Sequence, residues 1–131
     1  MQKYFTVKTA QGLIPKIRKS LLKLKSINKA IDTISSIRLD PNELGYEESS
    51  SINIKLSKDF HKLSYEFYKE MEKFEKIGCL LKDLDQGLVD FYAKFEKRDI
   101  FLCWKLGEDK IESWHETGNG FMGRQPIISL L

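Results

Sequence analysis

Cysteine, histidine and proline are scarce in this chain, with two, two and three copies among 131 residues. Cys79 and Cys103 are too few for a disulfide scaffold, and neither belongs to a CxxC pair. With only His61 and His115 available, a two-histidine zinc site would need both. No window approaches the ~18 uninterrupted apolar residues of a membrane span, which excludes a membrane partner of that kind. The start of the chain places Lys3 and Lys8 around a short Tyr-Phe-Thr-Val run and lacks a signal-peptide core and cleavage site. These absences point to a cytoplasmic protein with reduced thiols. There is no Walker loop and no GxGxxG, so the common phosphate-cradling motifs are excluded.

Acidic side chains are missing from residues 1–31, which carry eight basic ones. With a net charge of +3, the remaining hundred residues sum to +3 − 8 = −5. A basic block of this kind can be a nucleic-acid footprint. The simpler reading is a solvated helix face balanced by acids elsewhere, because these residues fall mainly opposite the apolar stripe with little aromatic interleaving.

What is present is periodic. A length of 131 residues suits one domain with a modest core. Ala10, Leu13, Ile17, Leu24, Ile27, Ile31 and Ile34 recur at helical spacing, which predicts a helix from about Thr9 to Arg38 with Thr6 as N-cap. Pro15 must kink that helix or sit in its first turn. Asp40-Pro41-Asn42-Glu43 supplies a break with capping-box spacing, and Leu44 to Ser51 reads as a polar connection. Leu56, Phe60, Leu63, Phe67, Met71, Phe74 and Ile77 then form one apolar face of a second helix, Ile52 to Ile77, closed by Gly78. Two such helices make an antiparallel hairpin, and stripes this wide exceed what one helix pair can bury. The surplus predicts a homodimer through the hairpin, with coiled-coil-like packing.

After Gly78 the period shortens. Val89, Phe91, Ala93 and Phe95 alternate with Asp90, Tyr92 and Lys94, a half-buried strand. A four-residue polar turn, Glu96 to Asp99, leads to a partner strand on Ile100, Leu102, Trp104 and Leu106. Glu108 to Thr117 fits a short helix with Ile111 and Trp114 inward, and an extended tail follows Gly120. The expected architecture is α+β, a single domain over 1–131. It has a helical hairpin at about 9–77 and a small β-hairpin and short-helix cap at 78–131.

Any chemistry falls in that last third. Asp90 lies mid-strand, where Asp is disfavoured and a buried carboxylate needs a partner such as His115 or Arg124. An Asp90–His115 pair beside Glu108 makes these three the candidate catalytic residues. Lys82, Asp83 and Arg124 are the candidate ligand-binding residues, with Arg124 able to grip an anion through its planar fork. The competing readings are a solvent-facing Asp90 or a structural pair that pins the tail to the sheet, and an Arg124 paired with Asp83, Asp85 or Asp90. His115-Glu116 fails HExxH because position 119 is Asn, and Asp83 to Lys94 fails the EF-hand pattern. Asp83, Asp90, Glu108, His115 and Glu116 offer oxygen ligands suited to Mg²⁺ or Mn²⁺, yet in no recognised spacing, so no metal or cofactor is expected.

Several multi-residue words in order carry a resemblance over nearly the whole chain. They are Phe5-Thr6, Leu13-Ile14-Pro15, Lys82 through Phe91, Leu102 through Glu108, Trp114-His115 and Gly120 through Arg124. In these the chain resembles the DUF2203 family of small prokaryotic proteins. The resemblance implies an architecture and supplies no reaction. Relatives often carry an acidic residue where Thr9 precedes Ala10, so an N-terminal carboxylate role is not carried over. The functional expectation is a non-enzymatic homo-oligomeric interaction or scaffold module. The alternatives are a hydrolase- or transferase-like enzyme using the acidic, His and Arg residues of the last third, and nucleic-acid binding through the first helix.

Overall fold

The structure is a computed structural model that describes residues 2–37, 39 and 42–130. Two long helices, α1 (Val7–Ser35) and α2 (Tyr46–Ile77), form a hairpin and are followed by five strands. The strands are β1 (Leu80–Asp83), β2 (Leu88–Phe95), β3 (Arg98–Lys105), β4 (Ser113–Glu116) and β5 (Gln125–Pro126). They make one antiparallel sheet in sequential order, and the whole is α+β. Among the described residues no helix is long and apolar enough to cross a membrane.

Thr6 caps α1 as its sequence requires. Its hydroxyl accepts from the Thr9 backbone N–H, and the Thr9 hydroxyl accepts from the Thr6 N–H. Pro15 lies inside α1 rather than in its first turn. Helix α2 begins at Tyr46, six residues before the expected Ile52, so the polar connection is shorter than the serines suggest. Glu47 and Glu48 occupy its first turn, where the helix dipole favours acids. Asp40 and Pro41, part of the expected break between the helices, and Arg38, expected to end the first, lie outside the described residues. Gly78 closes α2 in the left-handed conformation, with φ 99°.

The sheet departs from expectation in three places. Segment 113–116 is strand β4 and not part of a short helix. Ile111 and Trp114 are three apart, as in a helix, but one short isolated helix is marginal, and pairing with the edge of β3 satisfies the backbone of 113–116. The β2–β3 turn is two residues, not four: Phe95 pairs with Arg98, and Glu96 and Lys97 both take positive φ (51° and 65°). That combination matches the right-handed twist of the flanking strands. The third departure is at the β1–β2 end, where the expected polar turn from Lys82 begins as strand, and the register shifts between Leu81 and Asp83.

Alternation decides what each sheet face meets. Val89, Phe91, Ala93, Ile100, Leu102, Trp104 and Trp114 are buried in one core with Ala10, Ile14, Ile17, Leu21 and Leu24 of α1 and Phe74 and Ile77 of α2. The two tryptophans anchor that core. The Trp104 Nε1–H donates to the Glu108 carbonyl at 3.0 Å, and the Trp114 Nε1–H donates to the Ser129 hydroxyl at 2.7 Å. The segment before α1 extends the layer, because the Phe5 N–H donates to the Tyr92 carbonyl. The odd-numbered side of β2 thus faces the helices, and the side carrying Asp90 faces away.

Candidate functional site

Strand register assembles the site. Asp90 on β2 is the cross-strand partner of Cys103 on β3, and Phe101, two residues from Cys103 on the same face, is the partner of His115 on β4. Asp90, Cys103 and His115 therefore share the sheet face turned away from the helices. All three are buried, at 2–3% exposure. The His115 Nε2 lies 3.1 and 3.2 Å from the two Asp90 carboxylate oxygens, and Nδ1 lies 2.8 Å from the Glu116 carbonyl. The carboxylate, thiol and imidazole donor atoms all fall within 4.8 Å of one another. The His115 ring also packs on Phe101, which packs in turn on Tyr92.

Over this cluster sits a cavity of about 160 Å³, lined further by Lys82, Leu88, Thr117, Asn119 and Phe121. The Lys82 ammonium stands 4.9 Å from the Phe101 ring centroid, a cation–π contact that brings it to the same cavity. Burial, and next the Asp90 carboxylate, push the Cys103 thiol up to about 12. A thiol held so high is a poor nucleophile at neutral pH, so Cys103 is not an activated cysteine in the protein as it stands.

The sequence-derived candidates separate into three groups. Asp90, His115 and Lys82 come together here. Glu108 and Arg124 pair with each other at 2.7 Å and do not line this cavity. Glu108 also accepts from the Lys105 backbone N–H, while Arg124 donates to the Cys103 carbonyl and stacks on Phe121. Through Nη2 alone, which serves both Glu108 and the Cys103 carbonyl, Arg124 ties the tail to β3. Asp83 instead accepts from the Gln86 backbone N–H and braces the β1–β2 turn. Cys103, Phe101, Thr117, Asn119 and Phe121 were not among the candidates. The one available signal was parity: Phe101 and Cys103 alternate with the apolar set of β3 just as Asp90 alternates with that of β2.

The basic face of α1 is partly neutralised within the fold. Lys23 and, from α2, Lys73 approach the Glu70 carboxylate at 3.4 and 3.7 Å, and Lys25 donates to the Asp85 carbonyl. Glu70 is buried at 5% exposure, and its other oxygen accepts from the Ser20 hydroxyl at 3.0 Å. His61 is exposed on α2, far in sequence and setting from the cluster.

No curated protein and no solved structure matches this chain. The family described as an uncharacterised conserved protein, DUF2203, matches residues 3–127, from the strand-like segment before α1 to the residue after β5. The chain belongs to the DUF2203 family.

Proposed function

We propose that this chain is a single-domain, homo-oligomeric interaction module of the cytoplasm, in which the hairpin supplies the interface and the sheet a recognition surface. One observation carries the reading. Beyond Ile27 on α1 and before Glu70 on α2, Ser49 is the sole buried residue among those described in the helices. Yet Ile31, Ile34, Leu56, Phe60 and Leu63 continue the apolar seam there, half-buried. Ile54, Tyr65 and Tyr68 stand well exposed on α2 (58%, 67% and 68%, the last two for Tyr68 and Tyr65). A hairpin two helices thick buries one stripe per helix, and a second hairpin packed against it converts this half to a four-helix arrangement. The two free, buried cysteines suit a reducing compartment.

Multi-angle light scattering at tens of micromolar tests the reading. A mass of twice 15.3 kDa is expected for the wild type and the single-chain mass for Ile54→Glu/Tyr65→Glu, whose side chains are already solvated in one copy. A monomeric wild type, or a variant of undiminished mass, overturns it.

A hydrolase- or transferase-like activity is the second reading, favoured by the buried Asp90–His115 pair under a small cavity that Lys82 also lines. The imidazole serves as general base in this reading once substrate takes over a ring nitrogen now engaged by Asp90 or the Glu116 carbonyl. Wild type and folded His115→Gln turning over a panel of esters and phosphoesters at equal rates would remove this reading.

A further inference from the structure

We propose that Asp90, Cys103 and His115 bind one Zn²⁺ ion, with the fourth coordination position open to the cavity beneath Phe121. The inference is independent of the oligomeric reading.

Hydrogen-bond chemistry raises the question first. The Glu116 carbonyl can only accept, so the proton of a neutral His115 sits on Nδ1. The Nε2 lone pair then points at both oxygens of the Asp90 carboxylate, which are also acceptors. Two acceptors facing each other at 3.1–3.2 Å in a buried site need either a second proton between them or a metal ion, which at this spacing sits to one side of the Nε2–oxygen line once the ring turns toward it. The same Nδ1–H to carbonyl bond is how metal-ligating histidines are usually oriented.

The donors select the metal. One sulfur, one nitrogen and one oxygen suit borderline-soft Zn²⁺, whereas Ca²⁺ and Mg²⁺ prefer shells of oxygen. Bonds of ~2.0 Å at a tetrahedral angle put nitrogen and oxygen ligands ~3.3 Å apart, close to the observed spacing of Nε2 and the Asp90 oxygens. Cys103 lies within 4.8 Å of both, so a thiolate on the third position needs only a small side-chain adjustment. Binding releases two protons to solvent, that of the Cys103 thiol and the one shared by His115 Nε2 and Asp90 in the metal-free protein, with no change of oxidation state.

The platform is rigid because the three ligands stand on three consecutive strands, with β3 paired to both β2 and β4. Three protein ligands leave one position, and the cavity of about 160 Å³ has room for a water or a small ligand there. Lys82, Thr117 and Asn119 line that space, so an anionic or hydrogen-bonding group on such a ligand has partners.

The test uses the full-length protein after chelator treatment, titrated with Co²⁺ and then Zn²⁺. One equivalent of Co²⁺ should give the visible bands of a four-coordinate site and a thiolate charge-transfer band in the near ultraviolet, both bleached by Zn²⁺. Cys103→Ser should abolish the charge-transfer band, and Cys79→Ser should leave it intact. Asp90→Asn and His115→Gln should weaken Zn²⁺ binding at least ~100-fold, since loss of a second-shell partner alone costs about 10–100-fold. X-ray absorption on the zinc-loaded wild type needs no variant to fold and should show one sulfur at ~2.3 Å beside nitrogen and oxygen at ~2.0–2.1 Å. An absent cobalt spectrum, a charge-transfer band that survives Cys103→Ser, or a zinc shell without sulfur overturns the proposal.

Discussion

Glu70 offers a quantitative test of how the hairpin is held against itself. Its carboxylate is buried between the helices, accepts from Ser20 at 3.0 Å and lies near the ammonium groups of Lys23 and Lys73. Burial raises the carboxyl, but the Ser20 hydrogen bond and the two lysines outweigh it and hold the group below its ordinary value. Glu70→Gln keeps the shape and one hydrogen bond while removing the charge. A hydrogen bond to a charged group is worth ~1 kcal/mol more than a neutral one, and each largely solvated lysine adds ~0.5 kcal/mol. The expected loss is about 2 kcal/mol at pH 7, or roughly 6–10 °C in Tm for a chain of this length. Because the folded-state carboxyl is depressed, its contribution is complete above the unfolded value of ~4.3 and disappears as pH falls through the folded value. Urea denaturation at pH 7 and pH 3 should therefore show a gap between wild type and Glu70→Gln that closes in acid. An equal gap at both pH values, or a glutamine variant as stable as wild type at pH 7, would refute the electrostatic account.

Other positions give sharper structural checks. Gly87 has φ 68°, and a Cβ there would lie 2.5 Å from the Leu106 Cβ, so Gly87→Ala should cost about 1–3 kcal/mol in thermal unfolding; an unchanged Tm would mean that the turn relaxes freely. Burial pushes the Cys79 thiol up to about 12, leaving about one in 10,000 as thiolate at pH 8. Iodoacetamide labelling followed by mass spectrometry should find Cys79 far slower in the native than in the urea-unfolded protein, and equal rates would contradict its burial. In metal-free protein, Asp90→Ala leaves His115 Nε2 without its partner and should lose about 1–3 kcal/mol, with Asp90→Asn losing less. A neutral or stabilising Asp90→Ala, read by urea denaturation, would show that the pair contributes nothing to folding.

The legible parts of this fold are those where a side-chain period and a burial face coincide. Helix α1 and the second half of α2 declared themselves through stripes that do face the core, and β2 and β3 through alternation around Asp90 and Phe101. The start of α2 was hidden because Tyr46 to Ser51 has no apolar period, its backbone being held by helix geometry with little packing. Strand β4 was hidden because both of its faces are used, Trp114 toward the helices and His115 away from them, so no alternation of polarity marks it. The Glu96-Lys97 turn lacks the Gly or Asn that usually announces positive φ. In the site, Asp90 was conspicuous because mid-strand carboxylates are expensive, and that expense called for a partner, with His115 and Arg124 both open. Cys103 carried no such mark. Its neighbours become Asp90 and His115 only once strand register is fixed, and register depends on the β2–β3 turn, expected at four residues and found at two.

Two departures from a self-sufficient fold remain, and they have opposite signs. The distal hairpin leaves apolar side chains half-solvated, an arrangement that gains stability when something covers them. The outer sheet face does the reverse, sealing a carboxylate, a thiol and an imidazole away from water under a short polar segment and Phe121. An apolar trio of similar volume would pack there without the desolvation cost, so the folding of the sheet gives no reason for these three side chains. The proposed zinc ion would account for their joint presence. Local rules broken without a folding benefit are the places where function is expected to sit. Because the two departures lie on different elements, the oligomer measurement and the metal measurement can fail separately. A monomer that binds zinc through Cys103 would move the weight of the molecule's function from the hairpin to the sheet, and a metal-free dimer would move it back.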